Sequence, residues 1–519
     1  IKVIPILNMK KSLFLFLLAA FTIQLLAQKS MFDVYKSQKL ARQETTLPDF
    51  SYVGYEYGEK AVPVASYKQF IVKDFGAIPD DDKSDKKAIQ QCINAAIANG
   101  SGIVYFPKGT YLINEKDESE TPILINGDRI ILRGETGAVL FMKEHMTALN
   151  PAQMWTTPYL IQFKKKVKRS NPTIILEDAP TGSFILKAEN TVGLIAGDWI
   201  ELNLQNNDSA RVAKELSPYK VNPDWTEINK KGDIVSVSHK VKKVTDNQIQ
   251  LADPIMYPVV ASEKWTINKW EPASGCGVEN IHFKGNFTDK FVHHRSAIDD
   301  GGWSILQING HVNGWLRDCT FENVSNAARI QQSANISVLN CKIIGNGGHS
   351  AISSESSSRV LIAKCDDSAS QWHTFGVGKP SMNTVIWRCS SAPTTSFESH
   401  ASQPRNTLID NQTGGFVYSR YGGAIGSLPN HLQNLILWNF TATNTDSYPN
   451  YEFWDTNNVW LKIPMPVIAG FKAANININQ QQLKAVETIN GRTTPESLYE
   501  AQLELRLGKL PPWLIQMKN

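Results

Sequence analysis

Leu316-Arg317-Asp318-Cys319, Val338-Leu339-Asn340-Cys341, Ile362-Ala363-Lys364-Cys365 and Ile386-Trp387-Arg388-Cys389 set their cysteines 22, 24 and 24 residues apart. Asn280-Ile281-His282-Phe283 reads as an earlier member of the series, and Leu408-Ile409-Asp410-Asn411 and Leu437-Trp438-Asn439-Phe440 as later ones. A repeat of roughly 20–30 residues, built from short strands and Gly/Asn/Ser turns, is the signature of a solenoid. One turn of a parallel β-helix fits it. Successive turns stack at the ~4.8 Å strand spacing, so equivalent side chains form ladders. The cysteines then form a ladder of small buried side chains. A metal site is the rival reading, but no C-x-x-C pair occurs and ligands would not follow the coil period. Disulfides between neighbouring turns remain open.

The flanks differ from these coils, which are placed at 271–470. Residues 28–65 are polar with scattered aromatics and read as an extended lead-in. In 66–149, Val72-Lys73-Asp74-Phe75-Gly76-Ala77 is a short strand ending in a turn. Ala88, Ile89, Cys92, Ile93, Ala96 and Ile97 then have helical spacing, with Ser84 as the N-cap and Gly100 as the C-terminal cap. A helix there covers the open end of the strand stack. Gly102–Phe106 and Gly109–Ile113 follow as strands around a Pro-Lys-Gly turn. Residues 150–270 break the rhythm and read as an inserted, loop-rich β subdomain. Its basic run of Lys164, Lys165, Lys166, Lys168 and Arg169 is a solvated face or a contact for an acidic substrate. In 471–519, Leu498, Ala501, Leu503, Leu505 and Leu507 predict a short helix covering the far end before Pro511-Pro512.

Met9-Lys10-Lys11, the apolar run Leu13 to Leu26 and the small Ala27 read as a secretory signal peptide spanning 1–27, with 1–8 upstream of the true start. No other stretch reaches the ~18 apolar residues of a membrane span. The expected protein is exported, to the periplasm or beyond. Of 519 residues, 42% are hydrophobic and 20% charged, which excludes a disordered chain. Lys+Arg 53 against Asp+Glu 49 is too balanced for a general nucleic-acid binder. The oligomeric state is not readable.

Asp74-Phe75-Gly76-Ala77, the cluster Asp80-Asp81-Asp82 with Asp85, the helix around Ala88-Ile89-Gln90, and Phe106-Pro107-Lys108-Gly109-Thr110-Tyr111 resemble the N-terminal signature of the pectate-lyase-like superfamily. With the repeats, the resemblance covers residues 66–510. It implies an all-β fold: a right-handed, single-stranded parallel β-helix with an N-terminal capping helix, an inserted β-rich subdomain and a short C-terminal helix. The superfamily holds polygalacturonase-type hydrolases, polysaccharide lyases, epimerases and phage tailspikes, so fold alone does not select the activity. The polygalacturonase pattern of G-D-D followed by G-H-G and R-I-K is absent. Asp299-Asp300-Gly301 reverses the first, and Gly347-Gly348-His349-Ser350 mimics the second only in part.

Within the coils, His349 and His373 both fall eight residues after their cysteines, and Glu398 nine after Cys389. Residues i and i+2 of a strand face one way, which sets His400 beside Glu398. Arg329 belongs one coil earlier, Tyr418 and Arg420 one later. Such a stripe suits an anionic sugar chain. An arginine neutralises a uronate carboxylate, a neutral His or a deprotonated Tyr removes the acidified proton, and another group protonates the leaving oxygen. The catalytic candidates are therefore His349, His373, Arg329, Glu398 and His400, with Arg420, Tyr418, Arg405, Trp303 and Lys379 as substrate contacts. β-Elimination is favoured. The alternatives are a glycoside hydrolase using Asp299, Asp300 or Glu398 and a non-catalytic glycan-binding β-helix. Asp366-Asp367 reads as a turn. No metal or other cofactor is required on this reading, although calcium is possible at acidic oxygen clusters. The expected partner is an anionic polysaccharide.

Overall fold

The computed structural model describes residues 29–519, so the expected signal segment lies outside the described residues. It divides into two units, one ending at Thr46 and one from Leu47 to Asn519. The described part of the first is not extended throughout. Met31–Leu40 is an α-helix, because Ser30 accepts from the Asp33 amide as its N-cap.

The second unit is a right-handed parallel β-helix whose coils carry three strand ladders, of which two join into a 20-stranded sheet and the third is 7-stranded. One coil runs Trp315–Arg317, Thr320–Glu322 and Asn326–Gln331, and the next repeats it at Ser337–Leu339, Lys342–Ile344 and Ser350–Glu355. The recurring polar residue that precedes Cys319, Cys341, Cys365 and Cys389, and stands at the matching place in other coils, makes the bend between the first two strands. Asn280, Asp318, Asn340, Lys364, Arg388, Asn411 and Asn439 all take φ between 51° and 56°. A left-handed residue turns the chain sharply, and Asn and Asp tolerate that region best. The next residue is thereby aimed inward. Cys319, Cys341, Cys365 and Cys389 are all buried and free of disulfides, with thiols against backbone carbonyls. Burial pushes the Cys319 thiol up to about 12.

The helix Lys86–Ala98 buries Ile89, Cys92, Ile93 and Ala96 against the first strands. Its N-cap is Asp85 rather than Ser84, whose hydroxyl instead donates to Glu118. Within 150–270, Ile161–Lys164 still belongs to the 7-stranded ladder. The remaining strands form a six-stranded antiparallel sheet centred on Trp199–Asn206 and Asp233–Thr245. Two fully buried arginines of the coils hold this subdomain. Arg359 pairs with Asp253 at 2.8 Å, and Arg405 pairs with Asp233 and Glu215. In the basic run, Lys165 and Arg169 are engaged with Asp128 and Glu201. Coil strands continue to Ala485–Ile489. The helix Leu498–Leu507 packs on the flank of the coil instead of over its end. Ser497 and the Tyr499 amide donate to Asp410, Trp387 donates to Glu500, and Gln502 accepts from the Phe50 amide.

Candidate active site

The 7-stranded ladder carries the chemistry. In its register Gln307, Arg329, Ser353, Gly376 and Glu398 stand opposite one another on successive coils. Two residues further along lies a second outward row, from Gln331 through Glu355 to Gly378. Side chains of alternating direction leave the apolar partners, Ile330, Ile352, Phe375 and Val377, inside the core.

Arg329, Glu355 and Lys379 form a charged triad. Arg329 Nε lies 3.0 Å and Lys379 Nζ 2.7 Å from the two oxygens of Glu355. The Arg329 guanidinium also sits over the Tyr159 ring at 5.1 Å. Burial raises the Glu355 carboxyl, but the two cations outweigh it and hold it down at about 2. Glu398 has the opposite environment. Burial pushes its carboxyl up to about 8, Glu355 adds to the rise, and Arg329 opposes it. Its Oε1 is 4.0 Å from His373 Nε2 and 3.9 Å from His400 Nε2. The His400 side chain is 49% exposed, whereas His373 as a residue is 1% exposed. Two glycines make the room. A Cβ on Gly376 would meet Glu398 Cβ at 2.3 Å, and one on Gly422 would meet His400 Cδ2 at 2.8 Å.

The two histidines of the expected register are one residue out of step, since His373 pairs with Ser350 and not with His349. Strand spacing still brings their rings to 5.5 Å. His349, just before its strand, is half-buried, and His373, at the start of its strand, is fully buried. His293 joins them, stacked 4.7 Å from Trp372, and Arg420 lies 3.7 Å over the other partner of that stack, the Trp372 ring. Burial, followed by the neighbouring imidazoles, lowers His349 to about 3 and His293 to about 4.

Other expected residues are occupied elsewhere. Arg405 cannot meet a substrate, because it is buried under the inserted subdomain. Trp303 is 6% exposed and packs edge-on to His145 in the core. Tyr418 donates to Asp455 at 2.5 Å within a cluster of Tyr448 and Tyr451, so its proton is held there. Asp299 is buried and bound by Arg295, Ser296 and the Val292 amide, which hold its carboxyl low against its burial. Asp300 accepts from His294, while its carbonyl takes Nδ1–H of His349 and Nδ2–H of Asn326. This pair shapes the π-helical turn Ile298–Gly302 and is not an acid–base couple. Asp80 and Asp81 accept from the Thr110 and Lys83 amides as turn formers. Asp367 is buried, in the short strand Asp366–Asp367.

Sequence reasoning passed over Glu355, His293, Trp372 and the two glycines. The i, i+2 rule that joined Glu398 to His400 also sets Glu355 two residues beyond Ser353, the partner of Arg329. Gly376 stands in the same row as Arg329 and Glu398, whereas His293, Trp372 and Gly422 come from turns and loops that obey no period.

Residues 69–171 match the family described as rhamnogalacturonase A/epimerase, pectate lyase-like. Residues 370–517 match a domain of unknown function, DUF4955. The pectate-lyase-like resemblance is thus seated in the first coils, while Glu398, His373, His400 and Lys379 lie in the second match. The plasmin and fibronectin-binding protein A of Streptococcus pneumoniae is 46% identical over 66 residues, 12% of this chain and 9% of that protein. The mannuronan C5-epimerase AlgE1 of Azotobacter vinelandii is 41% identical over 66 residues, 13% of this chain and 5% of its own length. The chain therefore spans under a tenth of either curated relative. The tailspike gp49 of Pseudomonas phage LKA1 superimposes with a TM-score of 0.47 at 13% identity, over 82% of this chain and 74% of its own. No helix among the described residues is long and apolar enough to cross a membrane.

Proposed function

We propose that the protein is an exported enzyme that cleaves an anionic, uronic-acid-containing polysaccharide by β-elimination on the outer face of the 7-stranded ladder. The observation that carries this reading is one arrangement. A protonatable carboxyl, Glu398, and a half-exposed imidazole, His400, stand 3.9 Å apart beside the Arg329–Glu355–Lys379 triad, whose net charge is +1. Arg329 and Lys379 attract the uronate carboxylate and draw charge from it, which acidifies the adjacent C5 proton. His400, neutral because burial lowers its pKa, takes that proton. The C4–O bond breaks, a C4=C5 double bond forms, and the leaving oxygen takes the proton of Glu398. Of the expected histidines His349, His373 and His400, His400 is the most exposed, which favours it as the base. The match to a mannuronan epimerase supports a uronate polymer, since epimerisation at C5 also begins by removing that proton.

The second reading is hydrolysis, with Glu398 as acid and Glu355 as carboxylate, favoured by their opposed ionisation. Two ion pairs make Glu355 a poor base or nucleophile. Purified protein would be incubated with polymannuronate, polygalacturonate and sulfated uronate-containing algal polymers. Reducing ends and the ultraviolet absorbance of unsaturated uronates would be recorded together. Both signals rising is the expected result. Reducing ends alone would establish hydrolysis, and polymer binding without either signal would make the protein a glycan-binding β-helix.

A further inference from the structure

We propose that His293, His349 and His373 form a binding site for a divalent transition-metal ion of the zinc type. The site lies next to the cleft but does not depend on the catalytic reading. One ring nitrogen from each of the three lies within 4.8 Å of the others, the one such group among the described residues.

The hydrogen bonds on the far side of two rings decide which nitrogens are free. His349 Nδ1 is 3.1 Å from the carbonyl of Asp300, and His373 Nδ1 is 3.0 Å from the carbonyl of Arg420. A carbonyl only accepts, so both Nδ1 atoms carry the hydrogen. Each Nε2 is then left with its lone pair, and main-chain carbonyls in this position orient metal-bound imidazoles in general. His373 Nε2 is buried without any hydrogen-bond partner. An acceptor left free in that way is open to a ligand.

Nitrogen donors select the ion. Three imidazoles suit zinc, cobalt, nickel or copper, whereas calcium and magnesium take oxygen ligands. Zn–N bonds of ~2.0–2.1 Å need the nitrogens at roughly 3.4 Å, so the rings must draw together. His293 can supply that movement, because it sits in the irregular segment 285–296. His294 cannot replace it, since its Nδ1 is held by Asp300 at 2.6 Å. Three imidazoles leave the fourth position of a tetrahedral ion to water.

Untagged protein, stripped with a chelator, would be titrated with Zn²⁺ by calorimetry and with Co²⁺ by visible absorption. The expected result is one ion per chain and the intense visible band of four-coordinate cobalt. His349→Gln and His293→Gln should each weaken binding by about 100-fold or more. His282→Gln, on another ladder beside Glu322, should leave it unchanged. Circular dichroism identifies folded variants, and His293→Gln, in the loop, keeps the test open if a strand variant misfolds. Folded wild-type protein that binds no ion at millimolar Zn²⁺ would overturn the proposal. So would identical binding by the His293→Gln/His349→Gln double variant.

Discussion

Replacing Gly376 with alanine tests whether the position of Glu398 governs the chemistry. Directly opposed residues on parallel strands ordinarily keep their Cβ atoms about 4.8 Å apart. At this pair the added methyl would meet Glu398 Cβ at 2.3 Å and its Cα at 3.0 Å. Carbon atoms rest at about 3.5–4.0 Å, so Glu398 or its strand must yield by more than 1 Å. Neither clashing atom is the end of a flexible side chain, so the displacement passes to the backbone of Glu398–Ser399. Overpacking of this kind destabilises by about 1–3 kcal/mol, which a protein of this size survives. Misplacing a catalytic group by about 1 Å lowers turnover by roughly 100-fold. The expected outcome is a folded protein, a few degrees lower in Tm, with kcat reduced about 100-fold on whichever uronate polymer the wild type cleaves. Wild-type kcat/KM in a folded Gly376→Ala protein would refute the assignment of proton transfer to Glu398.

Glu398→Gln keeps shape and neutrality but cannot donate a carboxyl proton, so kcat should fall by about 10²–10⁴ with Tm held, measured by initial rates and thermal melts. Arg405→Met should leave Glu215 buried without its cation while Asp233 keeps Arg211, and lower stability by about 3 kcal/mol, read from denaturant melts. Burial lifts the Asp410 carboxyl from 3.8 to about 7, against the bonds from Ser497 and Tyr499 that lower it. A folded pKa above the unfolded one gives stability that is full below pH 3.8 and lost as pH rises to about 7, amounting to about 4 kcal/mol. Asp410→Asn should remove that slope, so chemical denaturation across pH 4–8 should find the variant more stable than wild type at the upper end. The six free, buried cysteines predict no change in Tm with reductant, and six thiols titrated only after unfolding.

The coil was legible because its physics is periodic. A left-handed polar residue followed by a buried side chain recurs at the bends, and at four of them that side chain is a cysteine. The same periodicity placed Arg329, Glu398 and His400 on one face. It failed where a coil departs from its neighbours. The one-residue offset between His349 and His373 cannot be counted from cysteines, because the loops before the two strands differ in length. Arg405 looked like a surface cation because nothing in the coil repeat announces the sheet that covers it. Asp299-Asp300 looked catalytic because the pair reverses the G-D-D pattern in a loop between His-His-Arg and Gly-Gly-Trp, yet each carboxylate is engaged by a basic residue of that loop.

The two carboxyls that matter differ in one physical respect, and it explains why only one was visible. Glu355 and Glu398 face outward from neighbouring rows, but only Glu355 is ion-paired, and Arg329 acts on Glu398 from further off. Arg329 and Lys379 hold Glu355 ionised, while Glu398 has imidazoles for its neighbours, which burial keeps uncharged. Electrostatic asymmetry of this kind is a property of three coils together, since Arg329, Glu355 and Lys379 come from successive turns. It follows that exchanging charge at one coil should be felt at another. Lys379→Met removes one of the two cations from Glu355 and frees that carboxylate to accept protons. If elimination is the reaction, this variant should bind uronate polymers less well and produce no hydrolytic products. If Glu355 instead emerges as a base, reducing ends would accumulate without unsaturated uronates.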